Sequence, residues 1–331
     1  MRDTWIGRFR RLLDGIDGEI LGDPRFAVAM AEHALRLTPT APGRVSCEAT
    51  WRALAVYGSA LRAAERFSEA RAALFTSWAT LHSGSRVAVE DEADLCGRLA
   101  FFFRDVREAE AAKAMTERKV QLATDSRTRA QALVDQCLIL WEAGEADWAS
   151  LRSLSSEALG TLDPTLDFPF YRTALQTVLV ATAEDPAADL AGLPGLLERF
   201  EDLEGGADQR GARSANRDWV TGIVLRRLGD IHRSRLSLER ARETYLGLGS
   251  LIDAATVTMD LAILALESRD PDRVVELAGE MFPLFGAVRY QREAWASLAL
   301  FCRAALEGRL TAEAARRYKA SFSRQASRED R

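Results

Sequence analysis

The stretch from Thr50 to Leu81, TWRALAVYGSALRAAERFSEARAALFTSWATL, predicts two amphipathic helices joined by a tight polar turn. Apolar and small residues recur in it at intervals of three and four, which is the spacing of one helix face. Gly58 in the first helix and Ala70 in the second are small enough for the two backbones to approach closely. We therefore expect a packed helical hairpin, and we ask whether this unit recurs along the chain.

Two later segments repeat the pattern of small residues. The pairs are Gly58 with Ala70, Gly97 with Ala109, and Cys137 with Ala149. The second members of consecutive pairs are 39 and 40 residues apart. A fixed period of this size is the signature of a helical-repeat protein, in which each unit packs mainly against its neighbours.

This pattern of small residues on paired helices resembles the tetratricopeptide repeat, a helix–turn–helix unit that stacks into a solenoid. The resemblance covers most of residues 44–310 and implies an all-α, right-handed superhelical solenoid of antiparallel helix pairs. The family's Trp, Tyr and terminal Pro positions are mostly replaced, and the period exceeds the usual length of about 34 residues. Repeats of the HEAT or armadillo type have periods near 40 residues and remain an alternative.

The helical patterning continues along nearly the whole chain, and it predicts about 14 helices in pairs. We assign residues 1–43 to an N-terminal helical cap or degenerate repeat. Residues 44–324 then form the tetratricopeptide-like array, with a bend near residues 185–208. Residues 325–331 are polar and are predicted to be a disordered tail.

Composition limits the function classes that the chain can belong to. With 47% apolar and 28% charged residues, the sequence has the balance of a soluble folded protein. No apolar run approaches the ~20 residues of a membrane span, and the charged N-terminus is not a secretion signal. The net charge of −5 gives no reason to expect a nucleic-acid partner. We therefore expect a cytoplasmic protein whose four cysteines are buried, reduced thiols.

The sequence offers no catalytic or metal-binding constellation. His33, His82 and His232 lie in different predicted repeats, and no cysteine spacing resembles a zinc site. Cys302 follows His232 in the chain but lies within an apolar helix, LALFCRAAL, without a Gly-rich loop nearby. We therefore predict a protein that is not an enzyme and that needs no cofactor or metal.

One charged stretch, from Arg210 to Arg242, suggests a binding surface. It holds nine arginines against three carboxylates, and one long helix is expected from Arg210 to Ile231. The planar guanidinium group suits carboxylates and phosphates, so we expect this face to receive an acidic peptide or a polyanion. The alternative is a solvated face, or pairing with nearby acidic residues such as Glu198, Glu201 and Asp202.

In the family that the chain resembles, the first helix of each repeat lines the binding groove. By that analogy we expect charged and aromatic side chains on the first helices to contact a partner. The predicted partner-binding residues are Arg213, Arg217, Arg226, Arg227, Arg233, Arg52, Arg62, Arg98 and Trp141.

We interpret the chain as a non-catalytic scaffold or adaptor that binds a protein or peptide. The alternative is a regulatory subunit that controls a partner enzyme, for example a protease, or a transcription factor through ligand-dependent curvature of the solenoid. The sequence identifies neither the partner nor the oligomeric state.

Overall fold

The computed structural model describes residues 2–20, 22–41, 45–83, 87–143, 147–204, 211–286 and 292–326. In these residues the chain forms sixteen α-helices and one short 3-10 turn at Thr38–Thr40, and none of them lies in a β-strand. The first eight helices are α1 Arg2–Glu19, α2 Pro24–Leu37, α3 Val45–Ala63, α4 Phe67–His82, α5 Val89–Asp105, α6 Ala109–Leu122, α7 Ser126–Ala143 and α8 Trp148–Leu159. The other eight are α9 Phe168–Glu184, α10 Leu193–Glu204, α11 Ala212–Arg227, α12 Ile231–Gly247, α13 Leu251–Glu267, α14 Pro271–Gly286, α15 Arg292–Leu306 and α16 Ala312–Ala326.

Helices that follow one another in the chain pack side by side. The contacts within the pairs α3–α4, α5–α6 and α11–α12 are extensive, and α12 also packs on α13. This arrangement confirms the predicted all-α fold of consecutive helix pairs.

The chain divides into two compact units, Met1–Ile139 and Leu140–Asp330, with the boundary inside α7. Unit 1 has its own buried apolar core, which extends from Phe9 to Ile139, and α1 and α2 both pack against α3. Unit 2 contains a second apolar core, formed by side chains from α11 to α16. Each unit therefore buries apolar surface of its own.

Two glycines show why small residues recur at the helix interfaces. A Cβ atom added to Gly58 would lie 2.6 Å from Cγ of Leu74, and one added to Gly222 would lie 2.6 Å from Cγ of Leu238. The role predicted for Gly58 is therefore present in α3, and the same interlock recurs between α11 and α12. In that second interlock, the hydroxyl of Ser234 also donates a hydrogen bond to the carbonyl of Gly222 at 2.8 Å.

The same turn recurs after α3, α5, α11, α12, α13 and α15. At its centre lies a residue with positive φ, and two backbone hydrogen bonds close the end of the first helix. In the α3–α4 turn, the N–H of Arg66 donates to the carbonyl of Leu61, and the N–H of Glu65 donates to that of Arg62. This is the Schellman pattern. The residues with positive φ in the equivalent turns are Glu65, Arg107, Gly229, Gly249, Arg269 and Gly308.

These turns correct the register that was expected for the second repeat. Counted from Arg107, the equivalent of Ala70 is Ala112, which is fully buried, whereas Ala109 is half-buried. Ala149 is exposed on the first turn of α8. Residues about one helical turn apart lie on the same face, so small residues alone could not distinguish the two registers.

The long helix that was expected from Arg210 to Ile231 is shorter in the structure. Arg210 lies outside the described residues, α11 ends at Arg227, and a turn through Gly229 leads into α12. The side chain of Asp230 caps α12 by accepting a hydrogen bond from the N–H of Arg233.

The predicted domain limits stay predictions, as does the bend near residues 185–208. Residues 205–210 and 327–331 lie outside the described residues, so most of the predicted tail is among those left undescribed. Residues 325 and 326 form the end of α16.

Candidate functional site

The three predicted binding arginines of unit 1 each contact a carboxylate on a neighbouring helix. Nη2 of Arg52 lies 2.5 Å from Asp91, and Nη1 of Arg62 lies 2.5 Å from the buried Asp105. Arg98 bonds Asp17 of α1 at 2.7 Å. Burial lowers the pKa of the Arg98 guanidinium, but the nearby carboxylates outweigh it and raise the pKa above its usual value. These arginines connect α1, α3 and α5.

Most arginines of the 210–242 stretch also have partners within the chain. Nη2 of Arg227 donates to the carbonyl of Pro186 at 2.9 Å, and Arg217 lies 3.6 Å from Asp218. Further ion pairs in this stretch join Arg235 to Asp270, Arg240 to Asp218, and Arg242 to Glu280. These carboxylates differ from Glu198, Glu201 and Asp202, which the sequence suggested.

The side chains of Arg213 and Arg233 lie nearer to solvent. The guanidinium of Arg213 lies 5.0 Å from the centre of the Phe168 ring. The Arg233 side chain is 63% exposed and forms a loose ion pair with Asp230 at 3.6 Å. Of the arginines predicted on this face, these two are the most accessible in the described part of the chain.

Arg226, in contrast, is buried at the centre of an ionic cluster. Its Nη2 lies 3.0 Å from Glu184 of α9, and its Nη1 lies 3.2 Å from Asp260 of α13. Lys319 of α16 donates to Asp260 at 2.5 Å and also lies 3.5 Å from Glu184. We call Glu184, Arg226, Asp260 and Lys319 the charge cluster, and it joins four helices of unit 2.

The charges in this cluster stabilise one another. Burial alone would raise the pKa of Glu184, but the attraction of Lys319 and Arg226 outweighs burial and lowers it below the usual value. Burial likewise lowers the pKa of Arg226, but the neighbouring carboxylates outweigh that effect and raise it. Glu184 and Arg226 are therefore both charged at neutral pH.

Three half-buried tryptophans lie beside the charge cluster. The ring centres of Trp141 and Trp219 are 6.5 Å apart, and those of Trp141 and Trp148 are 6.3 Å apart at a steep angle. Trp219 also donates its indole N–H to Asp260 at 2.9 Å. The ammonium of Lys319 lies 5.9 Å from the Trp219 ring. We call this group together with the charge cluster the tryptophan–charge site.

The tryptophan–charge site combines residues that the sequence identified with others that it did not. Trp141 and Arg226 were predicted to bind a partner, and the structure brings both into this region. The contributions of Glu184, Asp260 and Lys319 were missed, because the partners of Arg226 lie 34 to 42 residues away in the chain. Whether the nine predicted residues bind a partner stays a prediction.

The cysteines do not form a reactive site. Cys96, Cys137 and Cys302 are buried, and loss of water contact raises the pKa of their thiols to about 11, 12 and 11. Cys47 is exposed, contrary to the expectation that all four would be buried. Among the described residues, His, Cys, Asp and Glu side chains nowhere gather in a group that could hold a metal ion. Nor is any described helix both long and apolar enough to span a membrane.

The fold and the paired helices define an all-α helical-repeat protein of tetratricopeptide-like fold. The crystal structure of Rap protein complexed with Competence and Sporulation Factor has a similar fold, with a TM-score of 0.62. The similarity covers 92% of this chain and 87% of that chain at 10% sequence identity, so it concerns the fold alone. Neither a scan against protein-family models nor a search of curated proteins finds a match.

Proposed function

We propose that this protein is a non-catalytic binding module that holds a protein or peptide segment at the tryptophan–charge site. The observation that carries the proposal is the approach of Trp141 and Trp219, two half-buried rings from α7 and α11, directly beside the ionic cluster. Tryptophan and arginine are the residues that most often dominate binding energy. Here they are held on helices, so little side-chain entropy is lost when a partner binds.

We infer the charge of the partner from Arg213 of α11 and Arg233 of α12, whose side chains are exposed. The exposed guanidinium group of Arg233 can donate hydrogen bonds to a carboxylate at little desolvation cost, and Arg213 offers a second positive charge on the same helix pair. We therefore propose a segment with acidic residues in the part that crosses α11 and α12. The complex of Rap protein with Competence and Sporulation Factor supports a recognition role for this fold.

The proposal includes a cytoplasmic location. Three buried thiols support it, because cysteines persist as thiols in reducing compartments.

Peptide display on the immobilised full chain tests the proposed function. Selected peptides would be synthesised and titrated by fluorescence anisotropy against the wild type, Trp141→Ala and the matched control Trp78→Ala. Trp78 is a half-buried tryptophan of α4, in unit 1. We expect Trp141→Ala to raise Kd roughly 30-fold, equivalent to about 2 kcal/mol, and Trp78→Ala to leave it unchanged. Equal binding by all three proteins would overturn the proposal.

A regulatory role is a second candidate, because the charge cluster joins α9, α11, α13 and α16. A ligand that contacts this cluster would change how four helices pack, and a partner protein could sense that change. Hydrogen exchange with and without a selected peptide would test it. Protection changes in all four helices are expected for a regulator, whereas changes restricted to the contacted side chains' own helix would favour a passive scaffold.

A further inference from the structure

Lys319 enters a receptor that is built entirely by other helices. Its ammonium donates to Asp260 of α13 at 2.5 Å, lies 3.5 Å from Glu184 of α9, and faces the Trp219 ring of α11 at 5.9 Å. Only 15% of the Lys319 side chain is exposed. Two carboxylates and an aromatic face are the groups that bind a lysine ammonium.

Contacts that do not involve α16 also position the groups of this receptor. The indole N–H of Trp219 holds one oxygen of Asp260 at 2.9 Å, and Arg226 bonds both Asp260 and Glu184. Without Lys319, Glu184, Asp260 and Arg226 carry a net charge of −1. Glu267, 3.9 Å from Arg226, does not change this sum because it pairs with Arg316. A buried net charge is costly, so the site requires one further cation.

The geometry also favours lysine over arginine as that cation. The planar guanidinium of Arg226 already occupies the position between Glu184 and Asp260. The space that remains is filled by Nζ of Lys319, a single nitrogen at the end of a flexible side chain. A compact ammonium fits this position, whereas a second planar guanidinium group would have to displace the guanidinium group of Arg226.

Helix α16 contacts α13 and α15 through both polar and apolar side chains. Arg316 forms an ion pair with Glu267 of α13, and Lys319 fills the receptor. Ala315 and Phe322 add apolar burial, while Arg317 is exposed on the opposite side. The helix thus docks through one anchoring cation, a flanking ion pair and an apolar face, to which Ala314 and Tyr318 also contribute.

We propose that Glu184, Asp260 and Trp219 form a lysine-receiving site, that Lys319 occupies it in cis, and that a lysine-bearing helical segment of a partner protein competes for it. The inference rests on the proposed function and adds the chemistry of the partner at this point. A tethered occupant acts at millimolar effective concentration. A partner must therefore displace Lys319 before it binds, and its apparent affinity is reduced accordingly.

The test uses a fluorescein-labelled peptide with the sequence of residues 311–326, titrated against the full chain by anisotropy. We expect the Lys319→Met chain to bind this peptide at least 10-fold more tightly than the wild type, because its own occupant is removed. A peptide that carries Lys319→Met should show no such gain. The matched controls are the Arg317→Met chain, expected to bind like the wild type, and an Arg317→Met peptide, expected to bind like the unmodified peptide.

A second measurement uses only the wild-type chain, so it does not depend on the folding of a variant. Excess unlabelled peptide should increase hydrogen exchange in α16 as the helix is displaced, and the Lys319→Met peptide should not. The inference is overturned if both peptides act alike, or if the Lys319→Met chain gains no affinity over the wild type.

The proposed function can fail independently of this inference. Suppose that display-selected peptides lose affinity in Trp141→Ala but contain no lysine and bind the Lys319→Met chain as they bind the wild type. The binding module then stands and the lysine-receiving site is overturned. If the 311–326 peptide instead behaves as expected while Trp141→Ala has no effect on any peptide, the lysine site stands and the tryptophan-based proposal fails.

Discussion

Single residues decide how closely the paired helices approach. Gly222→Ala should lower the free energy of unfolding by about 1–3 kcal/mol, because the new Cβ would lie 2.6 Å from Leu238 Cγ and 3.3 Å from the backbone nitrogen of that residue. Urea denaturation followed by circular dichroism measures the change. For this net loss, the cost of the steric clash must exceed the stabilisation of about 1 kcal/mol that alanine gives a helix relative to glycine.

Gly279→Ala is the matched control for this prediction. Gly279 is exposed in α14, and a Cβ added there would have no atom within 4 Å. We expect this variant to be as stable as the wild type or more stable by up to about 1 kcal/mol. If the two glycine variants had equal stabilities, the close approach of α11 and α12 at Gly222 would not contribute to the stability of the fold.

Glu184 makes part of the stability depend on pH. Its pKa is lowered in the folded protein, so its charge stabilises the fold above the unfolded value of about 4.5, and this contribution is lost as the pH falls below that. The difference in free energy of unfolding between wild type and Glu184→Gln should therefore be largest near pH 7 and shrink below pH ~4.5. Urea titrations across this range measure it.

Glu243→Gln, on an exposed position of α12, controls for the general effect of removing a carboxylate. It should change the stability little at any pH. A Glu184→Gln deficit that stayed constant down to pH 3 would mean that folding does not lower the pKa of the Glu184 carboxyl.

At the scale of the element, the Schellman turns end the first helix of each tight pair. Gly229 and Arg269 occupy equivalent positions with φ values of 83° and 59°. Arg269→Gly should raise the free energy of unfolding by roughly 1 kcal/mol, because glycine adopts positive φ without steric cost. The reciprocal change, Gly229→Arg, should lower it by a similar amount. Thermal denaturation of both variants checks the pair, and shifts of the same sign would contradict it.

The helices were predictable from sequence, but two features of their connections were not. Periodic apolar residues marked the helices well, as the Thr50–Leu81 hairpin shows. Positive φ at Glu65, Arg107 and Arg269 was hidden, because glycine is the residue usually expected there. The turn at Gly229 was not predicted, because the helical pattern from Arg210 to Ile231 continues across it.

On the scale of the whole molecule, a destabilising substitution in the core of one unit should affect mainly that unit. In a helical-repeat protein, stability is the sum of local contributions from neighbouring units. Gly222→Ala should therefore accelerate hydrogen exchange in α11–α13 and leave α3–α5 close to wild type, while Gly58→Ala should do the reverse. Mass spectrometry of peptic fragments resolves the two regions. Equal loss of protection in both units by either variant would contradict this independence.

The fold class was predictable at this scale, whereas the tryptophan–charge site was not. Repeated small residues indicated helix pairs whatever their exact register. The site depends on contacts between residues far apart in the chain, since Lys319 lies 59 residues from Asp260 and 135 from Glu184. One sequence records the charge of each residue but not the distant residue that neutralises it.

The buried cysteines can report how often the helices around them separate. Their thiols react as thiolates, and burial both shields them and keeps them protonated, so an alkylating reagent reaches them only when the surrounding helices separate. Cys96 and Cys137 belong to unit 1, and Cys302 belongs to unit 2. Cys47 is exposed and would first be replaced by serine. The alkylation rate at each remaining cysteine then measures the local opening of its own unit, without any attached dye or isotope.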